Sequence, residues 1–224
     1  MAAALLGSPR ARERAGGWRM SGESPTTVCV RTQDGARIRR VTGLEVGTQT
    51  AQGSGMWIFD GFEMVTVGEP LRRCRRQVSG LDASEVLIEV AGCGVCHTDV
   101  GYLYDGVQTR GELPLILGHE ISGYVVAAGT EFQDLVGAAV VVPAVIPCGD
   151  CADCMAGRPM ICRRQVMPGN DRDGVFGRYV VVPGRSLCIV PGAPRDPDQP
   201  LRGDSGVTLR HLAVVADAVS TPWQ

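Results

Sequence analysis

Residues 146–162 read IPCGDCADCMAGRPMIC, and four cysteines fall in this stretch at the spacing C-x2-C-x2-C-x7-C. The four are Cys148, Cys151, Cys154 and Cys162. Zn²⁺ takes four ligands in a tetrahedron, with sulfur at about 2.3 Å, and short Cys-x2-Cys loops turn several thiolates toward one point. The spacing therefore predicts a closed tetrathiolate zinc site with a structural role, bracing a lobe at residues 146–164.

Two other interpretations of the cysteines stay open at this level. The thiols could be buried without a ligand, or the segment could be a DNA-binding zinc ribbon, which would need basic residues nearby. Only a few arginines flank it, and residues 56–224 carry fourteen arginines against twenty acidic residues. An acidic body argues against a nucleic-acid surface.

Composition favours a globular, cytoplasmic protein. The chain has 224 residues, 44% of them hydrophobic, and a formal net charge of −2. The N-terminal apolar run is too short for a signal peptide, and no apolar stretch approaches the ~20 residues of a membrane-spanning helix. Because a cytosolic chain keeps its thiols reduced, clustered cysteines indicate metal rather than disulfides.

The chain divides into regions of different character. Residues 1–55 are rich in Gly, Ser, Thr, Gln and Arg, which predicts a disordered tail or an over-called start; an extra strand around Thr26–Arg31 is the alternative. From Met56 onward, short β-branched runs alternate with Gly and Pro, which predicts a mainly β barrel or sandwich. The expected strands are Trp57–Val65, Glu85–Val90, Ile121–Ala127, Ala138–Ile146, Tyr179–Val182 and Leu187–Val190. A short helix is expected from Cys96, and Leu209–Val219 has a helix-like apolar run.

A second group of potential ligands lies in GCGVCHTD (92–99) and LGHEISG (117–123). A Cys, a His and nearby carboxylates form a mixed ligand set, and three protein ligands leave a fourth position open for substrate. Zinc at such a position acts as a Lewis acid on an alcohol or carbonyl oxygen. A His–Glu pair taken alone is more often a buried, hydrogen-bonded pair than a ligand.

In combination, GCGVCHTD, GHEISGYVVAAG and the four-cysteine lobe resemble the zinc-dependent medium-chain alcohol dehydrogenases, in family order and at family-like separations. The resemblance implies a mainly β fold: a GroES-like β-barrel catalytic domain at residues 56–205. Residues 206–224 would then be the start of a truncated α/β cofactor domain.

The resemblance also implies roles for particular residues. Cys96, His119 and Asp217 match the ligands of a catalytic zinc, and Glu120 matches an acid close to that metal. Zn²⁺ with one thiolate, one carboxylate and a neutral imidazole sums to zero charge, and the metal then favours a bound alkoxide near neutral pH. Thr98 matches the hydroxyl that takes the substrate proton.

The resemblance implies expectations for four further positions. Asp99 resembles the carboxylate that orients a ligand imidazole. His97 stands where the family often has an arginine at a cofactor phosphate, with a solvated loop residue as the alternative, and Thr221 falls where a threonine approaches the nicotinamide. Many relatives place a relay histidine where this chain has Gly101, so we expect no histidine to complete the relay.

The cofactors implied are two Zn²⁺ per chain and NAD, although no Gly-x-Gly-x2-Gly turn for a dinucleotide occurs in the sequence. Several stretches, including CHTDVGYLYDGVQTR and MPGNDRDGVFGRYVVVPG, resemble more narrowly the dehydrogenases that oxidise a ring alcohol carried on a CoA thioester. Expected partners are therefore a small-molecule alcohol or CoA-thioester substrate, no nucleic acid, no membrane, and further copies of the chain in a full-length homo-oligomer. The alternative is a non-catalytic zinc-binding module that acts with a separate chain.

One basic cluster remains outside these assignments. Residues 72–76 read RRCRR, which we expect to form a solvated loop; a contact with a CoA phosphate is the alternative.

Overall fold

A computed structural model of the protein describes residues 55–223. Its strands form two antiparallel sheets, so the predicted mainly β fold is confirmed. The strands are β1 (Met56–Met64), β2 (Arg72–Ser79), β3 (Glu85–Gly94), β4 (Leu115–Ile116), β5 (Glu120–Ala128), β6 (Ala139–Val142), β7 (Tyr179–Pro183) and β8 (Cys188–Ile189). The smaller sheet has the order β2-β1-β4 and the larger one β7-β3-β5-β6-β8. The tail predicted for residues 1–55 falls, except for Gly55, outside the described residues.

The helical elements are short. They are α1 (His97–Tyr104), α2 (Ala152–Met155) and α3 (Ser220–Trp223), with 3-10 helices at Gln133–Leu135, Pro159–Ile161 and Leu209–Ala216. The helix expected from Cys96 is confirmed, with Cys96 itself as the N-cap residue of α1. None of the helices in residues 55–223 combines the length and apolar character needed to cross a bilayer.

The basic cluster at residues 72–76 forms part of β2, so the prediction of a loop there was wrong. β2 pairs with β1 along eight residues, and its arginines find carboxylates on that neighbour. Arg72 and Arg76 contact the buried Glu63 at 2.6 and 2.9 Å, and Arg73 contacts Asp60 at 2.5 Å. Pairing with acids across the sheet lets a charge-rich segment adopt extended structure.

The main core lies inside the two sheets, where alternate residues of each strand point inward. Its fully buried members include Met64, Leu87, Ile88, Ile116, Leu117, Ile121, Val125, Val140 and Ile146. A second, smaller apolar cluster covers another face of the larger sheet, where Leu209 packs with Ala91, Tyr124 and Ala139. The larger sheet is therefore enclosed by the C-terminal 3-10 helix as well as by the main core.

The C-terminal segment is helical, as its apolar pattern predicts, but it is interrupted. The 3-10 helix over Leu209–Ala216 starts where His211 Nδ1 accepts the Thr208 N–H at 3.1 Å. It ends at Asp217, whose φ of −140° breaks the helix before α3 begins. A continuous helix over 209–219 would not have this break, which sets the position of the Asp217 carboxylate.

Candidate metal centres

Three side chains from distant parts of the chain converge at one point. Cys96 caps α1, His119 immediately precedes β5, and Asp217 lies in the break between the last two helices. Asp217 Oδ2 is 3.3 Å from Cys96 Sγ and 3.3 Å from His119 Nε2. One ligand atom from each of the three lies within 4.8 Å of the others. We call this group the three-ligand centre.

The spacing of these atoms fits a metal ion. Tetrahedral zinc with ligand distances of about 2.0–2.3 Å separates neighbouring ligand atoms by roughly 3.3–3.7 Å. His119 is fully buried, whereas the Asp217 side chain is 22% exposed. The three-ligand centre is therefore open toward solvent on the Asp217 side, and three protein ligands leave a fourth position for a substrate oxygen.

Asp99 holds two of these ligands in place. Its Oδ2 accepts the Cys96 N–H at 2.9 Å, and its Oδ1 accepts the Gly118 N–H at 3.1 Å. His119 Nδ1 is buried and lacks a well-aligned hydrogen bond; its nearest charged neighbour is Asp99 Oδ1, at 3.5 Å. A proton on Nδ1 directed at Asp99 leaves Nε2 free to bind a metal, as expected for a carboxylate behind a ligand imidazole.

The electrostatics of the three-ligand centre favour a cation. Burial lowers the pKa of His119, but the nearby Asp99 carboxylate, together with Cys96, outweighs this effect and raises the pKa to about 9. The hydrogen bond from Thr221 holds the pKa of Asp217 below its usual value, with help from Cys96 and His119 against burial. These groups stabilise positive charge at the position where Zn²⁺ would lie.

Glu120 lies beside the three-ligand centre without joining it. Its Oε1 accepts the N–H of Ala218, the residue after Asp217, at 2.9 Å. Its Oε2 occupies the space above Gly94, where an added Cβ would come within 1.6 Å of that oxygen. Burial raises the pKa of Glu120, although the Ala218 N–H opposes the change. Glu120 thus contacts the backbone that carries a ligand.

The other predicted site residues differ in their relation to the three-ligand centre. Thr98 Oγ1 is 3.6 Å from Cys96 Sγ, so this hydroxyl faces the centre. Thr221 donates its hydroxyl to Asp217 Oδ1 and its N–H to the Asp217 carbonyl, the latter at 2.8 Å. His97 is exposed, and its side chain makes no hydrogen bond or ion pair with the described residues. Gly101 lies inside α1, so nothing at that position extends a proton relay.

Sequence reasoning missed the segment that supports His119. Asp173 Oδ1 accepts the Ile116 N–H at 2.9 Å, and Gly174 N–H donates to the Ile116 carbonyl at 2.7 Å. Val175 N–H then donates to the Gly118 carbonyl at 3.1 Å. The Asp-Gly pair at 173–174 indicated a turn in the sequence. The sequence did not indicate that this turn would pair with a segment more than fifty residues away.

The four cysteines of the lobe also converge. Cys148 Sγ lies 3.9 Å from Cys154 Sγ, and Cys151 Sγ lies 3.8 Å from Cys162 Sγ. Tetrahedral Zn–S bonds of about 2.3 Å separate sulfurs by roughly 3.8 Å, so the thiols fit one zinc ion. We call this group the four-cysteine centre.

The lobe is closed at its base by backbone pairing. Ile146 and Val166 exchange both N–H···O=C bonds, at 2.8 and 2.9 Å. The N–H of Cys148 donates to Cys162 Sγ at 3.3 Å; this bond is the largest of several contributions that, against burial, lower the pKa of the Cys162 thiol to about 7. Arg185 donates to the Cys148 carbonyl from outside the lobe. A backbone N–H directed at sulfur is the support that a negatively charged tetrathiolate needs.

Comparison with known proteins gives the class to which this architecture belongs. Residues 82–192 match the family model described as the alcohol dehydrogenase GroES-like domain. This part of the chain is a GroES-like domain of the zinc-dependent medium-chain alcohol dehydrogenase family, as the resemblance of its motifs implied.

Among individual relatives, the L-threonine 3-dehydrogenase of Thermococcus kodakarensis is 39% identical over 106 residues, covering 46% of this chain and 30% of the relative. The alcohol dehydrogenase of Geobacillus stearothermophilus is 34% identical over 113 residues, covering 50% and 33%. A crystal structure from Sinorhizobium meliloti 1021, described as a zinc-binding dehydrogenase bound to NADP, superposes with a TM-score of 0.57 at 28% identity, covering 70% of this chain and 42% of that one. The chain spans about a third of the length of the curated relatives it matches.

Proposed function

We propose that this chain is the metal-binding part of a zinc-dependent alcohol dehydrogenase that oxidises a secondary alcohol to a ketone and passes the hydride to NAD. The observation that carries the proposal is the three-ligand centre, in which Cys96, His119 and Asp217 meet from three separate segments. A thiolate, an imidazole and a carboxylate with an open fourth position suit a catalytic zinc better than a structural one. The four-cysteine centre, with no open position, would hold a second, structural zinc.

The residues around the three-ligand centre suggest how the reaction would proceed. Zinc would supply a Lewis acid that favours loss of the alcohol proton near neutral pH. Thr98, whose hydroxyl faces Cys96, would accept that proton and release its own. Asp99 would keep His119 in the tautomer that leaves Nε2 for the metal, and Thr221 would fix the Asp217 carboxylate. No histidine follows Thr98 at Gly101, so the proton would leave by another path.

A more specific substrate is part of the proposal. The stretches that resemble dehydrogenases of ring alcohols on CoA thioesters support 6-hydroxycyclohex-1-ene-1-carbonyl-CoA, an intermediate of anaerobic benzoyl-CoA degradation, as substrate. We propose NAD as the cofactor because the dehydrogenases that these stretches resemble use NAD. One structural neighbour is instead described as bound to NADP. His97, exposed at the start of α1, is the residue we propose to face the cofactor phosphate.

The alternative is a non-catalytic zinc-binding module that acts with a separate chain. It is favoured by the lack of a recognisable dinucleotide-binding turn within these 224 residues. For this reason, we expect the purified 224-residue chain to bind zinc but to turn over alcohols slowly by itself.

Metal content tests the proposal directly. Zinc per chain is measured for the wild type and for Asp217→Ala, and a panel of secondary alcohols, with the CoA thioester among them, is assayed with NAD and NADP. We expect two zinc ions in the wild type and one in Asp217→Ala. If the wild type binds only one zinc ion and Asp217→Ala still binds it, the three-ligand centre is not a catalytic zinc site. Zinc binding without any NAD reduction, even when a cofactor-binding partner is added, would favour the module.

A further inference from the structure

The Ala218 amide connects Glu120 to a proposed metal ligand. Glu120 belongs to β5, whereas Asp217 lies in the helix break nearly one hundred residues later, and the Ala218 N–H donates to Glu120 Oε1 at 2.9 Å. Glu120 is 2% exposed, so this bond is shielded from water. The amide that is held belongs to the residue directly after Asp217.

Gly94 provides the space that this connection needs. It pairs with Glu120 across β3 and β5, and a Cβ on Gly94 would lie 1.6 Å from Glu120 Oε2 and 2.7 Å from its Cδ. Any side chain at position 94 would displace the carboxylate from the Ala218 amide. Gly94 is also only two residues before Cys96, so the carboxylate lies between the segments that carry two ligands.

We propose that Glu120 is a positioning residue that holds Asp217 in ligand geometry through the Ala218 N–H, with Gly94 leaving room for its carboxylate. This inference rests on the proposed function, because Asp217 needs placing only if it binds a metal. It differs from a role in which Glu120 itself ligates the metal, since its Oε1 is committed to the amide. The other backbone bonds around the break run within the C-terminal segment itself, from the Val219 N–H to the Val214 carbonyl and from the Thr221 N–H to the Asp217 carbonyl, so the Glu120 bond is the one that ties this backbone to β5.

The connection depends on a hydrogen-bond acceptor rather than on a negative charge, and a pair of variants separates the two. Glu120→Gln keeps an oxygen for the Ala218 N–H, whereas Glu120→Ala removes it. Loss of a group that supports a metal ligand typically weakens metal affinity about 10–100-fold. We expect Glu120→Ala to lose the zinc of the three-ligand centre at 10–100-fold lower chelator concentration, and Glu120→Gln to stay within about threefold of the wild type.

The 224-residue chain supplies its own reference in this measurement. Zinc retained per chain is followed against increasing chelator, and the zinc of the four-cysteine centre should respond equally in all variants. Hydrogen exchange at the Ala218 amide is measured in parallel, because it reports the bond directly whether or not zinc is present. We expect exchange at least tenfold faster in Glu120→Ala and near wild-type exchange in Glu120→Gln.

Gly94→Ala tests the role of the space above Gly94. In the wild-type background we expect it to reproduce the zinc loss of Glu120→Ala. In the Glu120→Ala background it should add little, because the two nearest atoms, Glu120 Oε2 at 1.6 Å and Cδ at 2.7 Å, are then absent and the Cβ of residue 120 lies at 3.0 Å. Fully additive losses would show that Gly94→Ala disturbs Cys96 by itself, against the proposal.

The outcomes separate the two proposals. If Glu120→Ala retains zinc and Ala218 protection like the wild type, the positioning role is refuted while the proposed function stands. If Glu120→Gln loses zinc from the three-ligand centre as readily as Glu120→Ala, the negative charge matters and the explanation by a hydrogen bond is wrong. If the wild type holds no zinc that depends on Asp217, the proposed function fails, and Ala218 exchange still decides whether Glu120 holds this segment.

Discussion

Replacing Gly174 with alanine should weaken both the fold and the three-ligand centre. Gly174 lies in the segment that supports the approach to His119, and its N–H donates to the Ile116 carbonyl at 2.7 Å. An added Cβ would lie 2.2 Å from the Gly118 carbonyl oxygen, 2.7 Å from that of Leu117 and 2.8 Å from Gly169 Cα. All three neighbours are backbone atoms, so no side-chain rotation can relieve the contact.

The size of the effect follows from this geometry. The two segments must separate by roughly 1 Å, which corresponds to overpacking at about 1–3 kcal/mol. The same movement lengthens the bonds from Gly174 and Val175, each contributing about 1 kcal/mol. We expect a loss of about 2–4 kcal/mol in the free energy of unfolding, or roughly 6–12 °C in the melting temperature. Because His119 follows Gly118 directly, the zinc of the three-ligand centre should be released before that of the four-cysteine centre.

Gly101→Ala is the matched control. Gly101 lies inside α1, and a Cβ there would meet Val107 Cγ2 at 3.5 Å, an ordinary contact. Alanine in place of glycine within a helix stabilises by roughly 0.5–1 kcal/mol. Urea and thermal unfolding followed by circular dichroism, with zinc content measured on the same samples, distinguish the two variants. The reasoning fails if Gly174→Ala unfolds at the wild-type midpoint, or if Gly101→Ala is destabilised as strongly.

Three further predictions follow from other features. Cys154→Ser should lose one zinc per chain and leave the lobe sensitive to protease, whereas Cys188→Ser, at an exposed cysteine outside both centres, should lose none. Burial raises the pKa of Glu63, but the bonds from Arg72 and Arg76 outweigh it and hold the pKa below the ordinary 4.5. The ionised Glu63 side chain therefore stabilises the folded protein fully above pH 4.5, and this contribution is lost as the pH falls through the lowered pKa of the folded state. In urea unfolding, the free energy of unfolding of Glu63→Gln should therefore lie furthest below that of the wild type near neutral pH, and the difference should shrink below pH 4.5. A difference that does not change with pH would contradict this account. His211→Ala should cost about 0.5–2 kcal/mol through the lost bond to the Thr208 N–H, visible as a lower unfolding midpoint, with unchanged stability as the contrary result.

What the sequence could predict depended on how local each feature was. The four-cysteine centre spans fifteen residues, so its ligand spacing is visible in one stretch of sequence. The strands from Glu85 and Tyr179 follow from β-branched runs between glycines and prolines, and they were confirmed. Such features need no knowledge of distant partners.

Features that depend on distant partners were predicted less well or missed. The arginines of β2 suggested a solvated loop, because their carboxylate partner Glu63 lies on another strand. The apolar pattern of residues 209–219 predicted a helix but not its break at Asp217. At this break, the Asp217 side chain contacts Cys96 and His119, which are distant in sequence. Asp217 itself was identified through resemblance to a family, since spacing alone does not join residues 96, 119 and 217.

The two centres also differ in what holds them together. The four-cysteine centre is closed by one pair of backbone bonds between Ile146 and Val166, and Arg185 supports it from outside the lobe through the Cys148 carbonyl. The three-ligand centre depends on carboxylates that do not join it: Asp99 fixes the backbone at Cys96 and before His119, and Glu120 holds the backbone after Asp217. An open metal position has one ligand fewer to fix its geometry, so second-sphere hydrogen bonds must supply that rigidity. Two buried acids, Asp99 and Glu120, accordingly lie beside the three-ligand centre, whereas the acids of the lobe, Asp150 and Asp153, are more exposed and pair with Arg164 and Arg158.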